Sequence, residues 1–127
     1  MPAGTDEGAE VTDVVVVSAD GGTRAQVALT LSAGRFAVTE ADDTDAAIRT
    51  VASRRPPLLV LDQALPGKGA LALARSIRTE AETAGTRVLL LTSRGDDTAD
   101  GATGVDATLA LPFTAFALLR KVESLLD

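Results

Sequence analysis

The chain has 127 residues, of which 12 are basic and 18 acidic, and this length fits one domain with a single core. It contains no Cys and no His, which excludes thiolate nucleophiles, imidazole bases, disulfides and zinc sites built on those residues. Its formal net charge of -6 argues against a nucleic-acid-binding surface, so we expect no direct nucleic-acid partner.

We expect no targeting signal at the N-terminus. Residues 1–11 are acidic and lack the basic start and apolar middle of a signal peptide, which predicts a disordered arm ahead of a domain over 12–127. No apolar run approaches the roughly 20 residues that cross a bilayer, so we expect no membrane partner and a cytoplasmic location. Because the chain ends shortly after its last predicted helix, we expect no output domain to follow it.

The first half of the chain alternates between predicted strands and helices. Val14 to Val17 is a continuous β-branched run, which predicts a strand buried on both faces. Helical spacing of apolar residues predicts a helix over 23–33, with Gly34 as a left-handed C-cap. A short strand over 36–39 follows, and then a helix that starts at Asp43 or Thr44 and ends at Ser53.

The second half continues this alternation. Leu58 to Leu61 predicts a third strand ending at Asp62, and apolar spacing predicts a helix from Ala70 to about Ala84. Val88 to Leu91 predicts a fourth strand, which ends at Thr92. The polar segment over 94–104 predicts a short fourth helix, because it has few strong helix formers.

A fifth strand over 107–111 and a last helix from Thr114 onward complete the pattern. Apolar strands alternating with helices predict an α/β fold, a doubly wound five-stranded parallel sheet with helices on both faces. In such folds ligands bind beyond the C-terminal strand ends at a topological switch point. The strand ends here carry Ser18, Asp62 and Thr92.

Three segments, in this order and spacing, resemble the receiver domain of bacterial two-component response regulators. LLVLDQALPG (58–67) is similar to the third strand, phospho-accepting Asp and Pro-Gly turn of that family, and VLLLTS (88–93) to its fourth strand and Thr. LPF (111–113) stands in the place of its Lys-Pro-Phe. The resemblance covers 12–127 and implies a flavodoxin-like α/β/α sandwich and a phosphorelay signalling role without enzyme activity.

The resemblance also assigns candidate site residues position by position. Asp62 matches the phospho-acceptor, Thr92 matches the hydroxyl that contacts the phosphoryl group, and Ala64 matches the residue whose carbonyl binds Mg²⁺. Asp62 has a second interpretation, because an Asp at the end of a strand often caps the following turn through backbone N–H groups.

The sequence departs from the family pattern at the charged positions of this pocket. Ser18 and Ala19 stand where the family has the acidic pair that holds Mg²⁺, and Leu111 replaces the Lys. Asp20 could supply one carboxylate beyond the strand end. A metal site built from Asp62, Asp20 and Ala64 would be weak, since Mg²⁺ prefers several hard anionic oxygens. We therefore expect no cofactor, or weak Mg²⁺ binding.

The last helix carries a candidate interaction surface. Phe116 falls outside the apolar stripe of this helix, and Arg120 and Glu123 share its side. Thr108, on the preceding strand, replaces the switch aromatic of the family. We expect the fourth helix, fifth strand and last helix to bind a protein partner or a second copy through this face.

Three hypotheses follow from these residues. The first is an atypical receiver with weak or absent phosphorylation, which acts by protein-protein interaction. The second is a conventional receiver that uses Asp62 and Mg²⁺ with a sensor histidine kinase as partner. The third is a small-ligand or flavin-binding α/β module, disfavoured because no Gly-rich phosphate-binding motif follows the first strand.

Overall fold

The computed structural model describes residues 12–65, 69–92 and 104–126. The predicted disordered arm over 1–11 lies outside these ranges, as does the predicted short helix over 94–104 apart from Gly104. Within the described ranges, no helix is long and apolar enough to span a membrane.

The described residues form five strands and four helices. The strands are β1 (Thr12–Val17), β2 (Phe36–Ala41), β3 (Leu58–Asp62), β4 (Arg87–Thr92) and β5 (Ala107–Ala110). The helices are α1 (Gly21–Ala33), α2 (Thr44–Arg54), α3 (Gly69–Thr79) and α4 (Ala115–Leu126), so α4 is the last helix of the sequence-based prediction.

All five strands belong to one parallel sheet with the order β2-β1-β3-β4-β5. The predicted doubly wound α/β fold is therefore confirmed. The chain builds outward from β1 to β2 and then crosses to the other side of β1 to add β3. The gap between the C-terminal ends of β1 and β3 is thus the topological switch point, where such sheets place their sites.

The sheet is covered on both faces, which explains its continuous apolar strands. Val14 to Val17 are completely buried, as are Leu58 to Leu61. Alternate strand residues pack in two separate clusters, because successive side chains of a strand point to opposite faces. One cluster contains α2 and α3, and the other contains α1 and α4.

Helix α3 ends at Thr79, earlier than the predicted end near Ala84. The predicted continuation is wrong because Thr83 turns the chain. Its hydroxyl donates a 2.7 Å hydrogen bond to the carbonyl of Ile77. In a longer helix that carbonyl would accept a hydrogen bond from the backbone N–H four residues later. Arg78 also donates to the Ala84 carbonyl at 2.7 Å, which holds the turn against the helix.

The predicted left-handed C-cap at Gly34 is also wrong. Gly34 has a φ of -87°, and the left-handed conformation falls on Arg35 with a φ of 73°. A side chain at Gly34 would place its Cβ 2.8 Å from Leu119 Cδ2. The glycine therefore permits the close approach of α1 and α4, which explains its presence without a positive φ.

Candidate functional site

The ends of β1 and β3 bring Ser18 and Asp62 together. These strands are neighbours in the sheet, with Val17 in register with Leu61, so the residues that follow each pair meet at the same edge. Ser18 is fully buried and Asp62 is only 4% exposed. The sequence-based placement of both residues at the switch point agrees with this arrangement.

The Asp62 carboxylate has a hydrogen-bond donor at each oxygen. The Ser18 hydroxyl donates to Oδ2 at 2.7 Å, and the backbone N–H of Ala64 donates to Oδ1 at 3.0 Å. The N–H of Leu65 donates to the Asp62 carbonyl at 3.3 Å, which closes the turn after β3. Asp62 therefore caps its turn, as one of its two sequence interpretations predicts.

Hydrogen bonds fix both the hydroxyl and the backbone carbonyl of Ser18. Its hydroxyl oxygen accepts a 3.1 Å hydrogen bond from the N–H of Asp20, and Arg24 donates to its carbonyl at 2.7 Å. Arg24 is fixed in turn by Glu40 of β2, with Nε 3.1 Å from Oε1. Hydrogen bonds thus connect the end of β1 to Arg24 of α1, through Arg24 to β2, and through the Ser18 hydroxyl to β3.

Arg24 is a site residue that sequence reasoning missed. A signal was present, because a cation near the N-terminus of a helix is disfavoured by the helix dipole. An Arg at that position therefore suggests a partner elsewhere, here the Ser18 carbonyl and the Glu40 carboxylate.

Asp20 caps the N-terminus of α1. Its Oδ2 accepts hydrogen bonds from the Thr23 N–H at 3.0 Å and from the Thr23 hydroxyl at 2.6 Å, so it is the N-cap of the helix. These bonds, led by the hydroxyl, lower the pKa of Asp20 from its ordinary value. Ala19 and Ala64 are also exposed.

The residues at this site do not fit a Mg²⁺ ion well. Mg²⁺ prefers hard anionic oxygens in octahedral geometry and gives up its water reluctantly. Asp62 offers one buried carboxylate, already bonded by Ser18 and Ala64, and Oδ2 of Asp20 accepts two hydrogen bonds from Thr23. Across residues 12–65, 69–92 and 104–126, no group of three acidic side chains is arranged to hold a metal.

Thr92 and Leu111 lie along the same edge of the sheet. Thr92 is fully buried at the end of β4, and its carbonyl accepts a 2.9 Å hydrogen bond from the Leu111 N–H. Leu111 is half-buried and packs against the core cluster of α1 and α4. The position that would carry a cation in the family is thus part of an apolar layer.

The last helix exposes the predicted aromatic. Phe116 is 69% exposed, so the prediction that its ring lies outside the core is confirmed. The guanidinium carbon of Arg120 lies 5.6 Å from the centroid of the Phe116 ring, a cation-π arrangement. Glu123 is also exposed, and Thr108 is half-buried on β5. A shallow groove beside the ring is lined by Leu109, Phe116, Ala117, Arg120, Lys121 and Ser124.

Comparison with known proteins agrees with the order and geometry of these elements. Residues 14–123 match the family model described as the response regulator receiver domain. Among curated relatives, the phosphate regulon transcriptional regulatory protein PhoB of Klebsiella pneumoniae is 30% identical over 116 residues, which are 89% of this chain and 51% of that protein. The chain thus spans about half the length of the curated relatives it matches.

Solved structures give the same result. The crystal structure of a Chloroflexus aurantiacus protein described as a response regulator superposes with a TM-score of 0.86 at 25% identity, covering 92% of this chain and 98% of that one. The receiver domain of NtrX from Brucella abortus superposes with a TM-score of 0.81 at 27% identity, covering 90% and 98% respectively.

Proposed function

The chain belongs to the response regulator receiver domain family, and from this premise we propose that it is an atypical receiver. In this proposal it is a signalling module of a two-component or phosphorelay system, without enzyme activity of its own. Phosphorylation of Asp62 is weak or absent, and the module acts by binding another protein in the cytoplasm.

The hydrogen bond between Ser18 and Asp62 is the observation that supports this proposal most strongly. Receiver domains bind Mg²⁺ at their phosphorylation site, and phosphoryl transfer depends on neutralising charge on the phosphoryl oxygens. Here a neutral hydroxyl lies 2.7 Å from the carboxylate, at a position where the family has an acidic residue. A hydroxyl adds no charge to attract the metal, so the reaction loses its main electrostatic support.

The Lys that other members of the family carry at this pocket is also replaced. Leu111 stands in the place of the Lys of the family and packs in the core cluster of α1 and α4. Thr108 stands in the place of the aromatic that responds to phosphorylation, and a short Thr cannot make the same inward movement. Both changes support an output that does not depend on a phosphoryl group.

The exposed surface of α4 supports an output by protein contact. Phe116 presents an exposed ring with Arg120 stacked on it, and both Phe and Arg are enriched in protein interfaces. We propose that a protein partner or a second copy binds this surface, and that a sensor histidine kinase is at most a weak phosphodonor.

Intact-mass measurement after incubation with acetyl phosphate and Mg²⁺ tests the proposal. We expect almost no species that has gained one phosphoryl group. The Asp62→Asn variant is the matched control, because any adduct that it retains is at another residue. A nearly complete adduct in the parent that is lost in Asp62→Asn would instead support the conventional receiver.

A further inference from the structure

A groove runs between α2 and α3, on the sheet face opposite α1 and α4. Two depressions with volumes of about 240 and 330 Å³ lie along it, and Ile48 and Ser76 line both. The two depressions are therefore parts of one continuous groove. Ile48 lies at its centre and is 45% exposed, although it is a large aliphatic side chain.

The floor of the groove is apolar and its rim is acidic. Val51, Leu73 and Ile77 line it from below and are almost fully buried. Three acidic residues also line it, namely Asp45, Glu80 and Glu82. None of the described residues that line the two depressions is Lys or Arg, although Arg55 approaches Glu82 at 3.8 Å.

We propose that this groove binds an amphipathic helix of a partner protein that carries Lys or Arg beside its apolar face. An apolar side chain of that helix would cover Ile48, and its cations would face the acidic rim. The two flanking helices have 11 residues each, or about 16 Å, which matches roughly three turns of a bound helix.

Charge favours a basic partner over a second copy. The chain has a formal net charge of -6, so two copies repel each other at long range, whereas a basic helix is attracted. This inference does not depend on the proposed function, because the groove and the Phe116 surface lie on opposite faces of the sheet.

A designed peptide tests the inference directly. The probe is an amphipathic helix of about three turns with Leu on one face and Lys on the other, and its matched control has Glu in place of every Lys. We expect saturable binding of the Lys peptide only, measured by fluorescence anisotropy. Amide chemical shifts should change along α2 and α3 and not along α4.

Two variants locate the binding. Ile48→Asn should weaken binding of the peptide at least about tenfold. Thermal stability should stay near that of the parent because Ile48 is already partly exposed. Glu80→Lys should weaken it more than Glu123→Lys, which makes the same change in net charge on α4.

Several outcomes would overturn the inference. An equal loss of peptide affinity in Glu80→Lys and Glu123→Lys would show that binding depends only on the net charge of the protein. Shifts centred on Phe116 would place the binding on the other face, and absence of binding would remove the site. Self-association that Ile48→Asn abolishes would identify the occupant as a second copy. None of these outcomes bears on whether Asp62 accepts a phosphoryl group.

Discussion

The hydroxyl of Ser18 donates a 2.7 Å hydrogen bond to the carboxylate of Asp62 across the C-terminal ends of β1 and β3. The two residues are 44 positions apart in the sequence, and both are buried. A buried carboxylate must be hydrogen-bonded, because its desolvation is costly when it is left without partners. Ser18 thus supplies a hydrogen-bond donor to the Asp62 carboxylate. In the family, the matching position carries an acidic residue that binds the metal.

Ser18→Ala should destabilise the fold, because it removes a hydrogen bond to a buried charged group. We expect a loss of about 1–3 kcal/mol in the free energy of unfolding, which is typical of such bonds. Urea unfolding followed by circular dichroism measures it. Ser53→Ala, at an exposed position on α2, is the control and should change stability little. Equal effects of both substitutions would contradict the assigned role of this hydrogen bond.

Ser18→Asp should raise the affinity for Mg²⁺ well above that of the parent. It places a second carboxylate beside Asp62, which costs stability through like-charge repulsion and gives a divalent cation two hard oxygen ligands. Mg²⁺ should therefore raise the thermal stability of Ser18→Asp, while millimolar Mg²⁺ leaves the amide spectra of the parent almost unchanged.

Ser18→Asn is the matched control for this experiment, because it has the same shape without the charge and should not respond to Mg²⁺. Saturable Mg²⁺ binding by the parent at concentrations well below millimolar would contradict the prediction, and it would favour the conventional receiver.

The fold could be predicted from local patterns because the three central strands, β1, β3 and β4, each contain a continuous run of four buried apolar residues. The four completely buried Val residues of β1 are typical of a strand in a sheet covered on both faces. The order of the strands then places the switch point beside β1. The end of α3 could not be predicted, since it depends on the Thr83 hydroxyl reaching the Ile77 carbonyl. That contact exists only after the chain has turned.

Asp20 should stabilise α1 in a pH-dependent way. Thr23 lowers the pKa of this N-cap carboxylate from its ordinary value of 3.8. A lowered pKa in the folded state contributes stability above the ordinary value, and that contribution is lost as the pH falls through the folded-state pKa. The difference in urea midpoint between the parent and Asp20→Ala should therefore be larger near about pH 7 than near about pH 3. A difference that grows on acidification would contradict this sign.

Gly104 should tolerate no side chain. Its φ is 82°, and a Cβ there would lie 2.7 Å from the carbonyl oxygen of Ala74 on α3. Backbone strain and this contact together predict that Gly104→Ala costs at least about 2 kcal/mol of stability. Gly85→Ala is the control, because a Cβ at Gly85 meets nothing within 4 Å. Chemical denaturation should show a near-neutral effect for Gly85→Ala, and similar losses for both would contradict the argument.

The candidate site could be predicted in part. The strand ends place Ser18 and Asp62 by topology alone, whereas the partner of Asp20 depends on which donor the first turn of α1 presents. Thr23 is that donor, and its backbone N–H and its hydroxyl both bond to Oδ2 of Asp20. The residue spacing did not indicate this capping role.

Phe116 is the residue on which the proposed output depends. Its ring is 69% exposed and is stacked by Arg120, so it lies outside the core stripe centred on Leu118 and Val122. An exposed aromatic of this kind can be buried by a partner without any cost to the fold. Removing the ring should therefore weaken binding of the partner and leave the stability of the fold unchanged.

Phe116→Ala should weaken self-association or capture of the physiological partner at least about tenfold, roughly 1.4 kcal/mol, while thermal stability stays close to that of the parent. Analytical ultracentrifugation measures self-association, and titration calorimetry measures binding of the partner once it is identified. Asp62→Asn is the matched control, since it alters the pocket and leaves α4 unchanged, and it should retain the interaction. If Asp62→Asn loses binding and Phe116→Ala retains it, the interaction surface lies at the pocket and not on α4. If Phe116→Ala unfolds, the ring is part of the core.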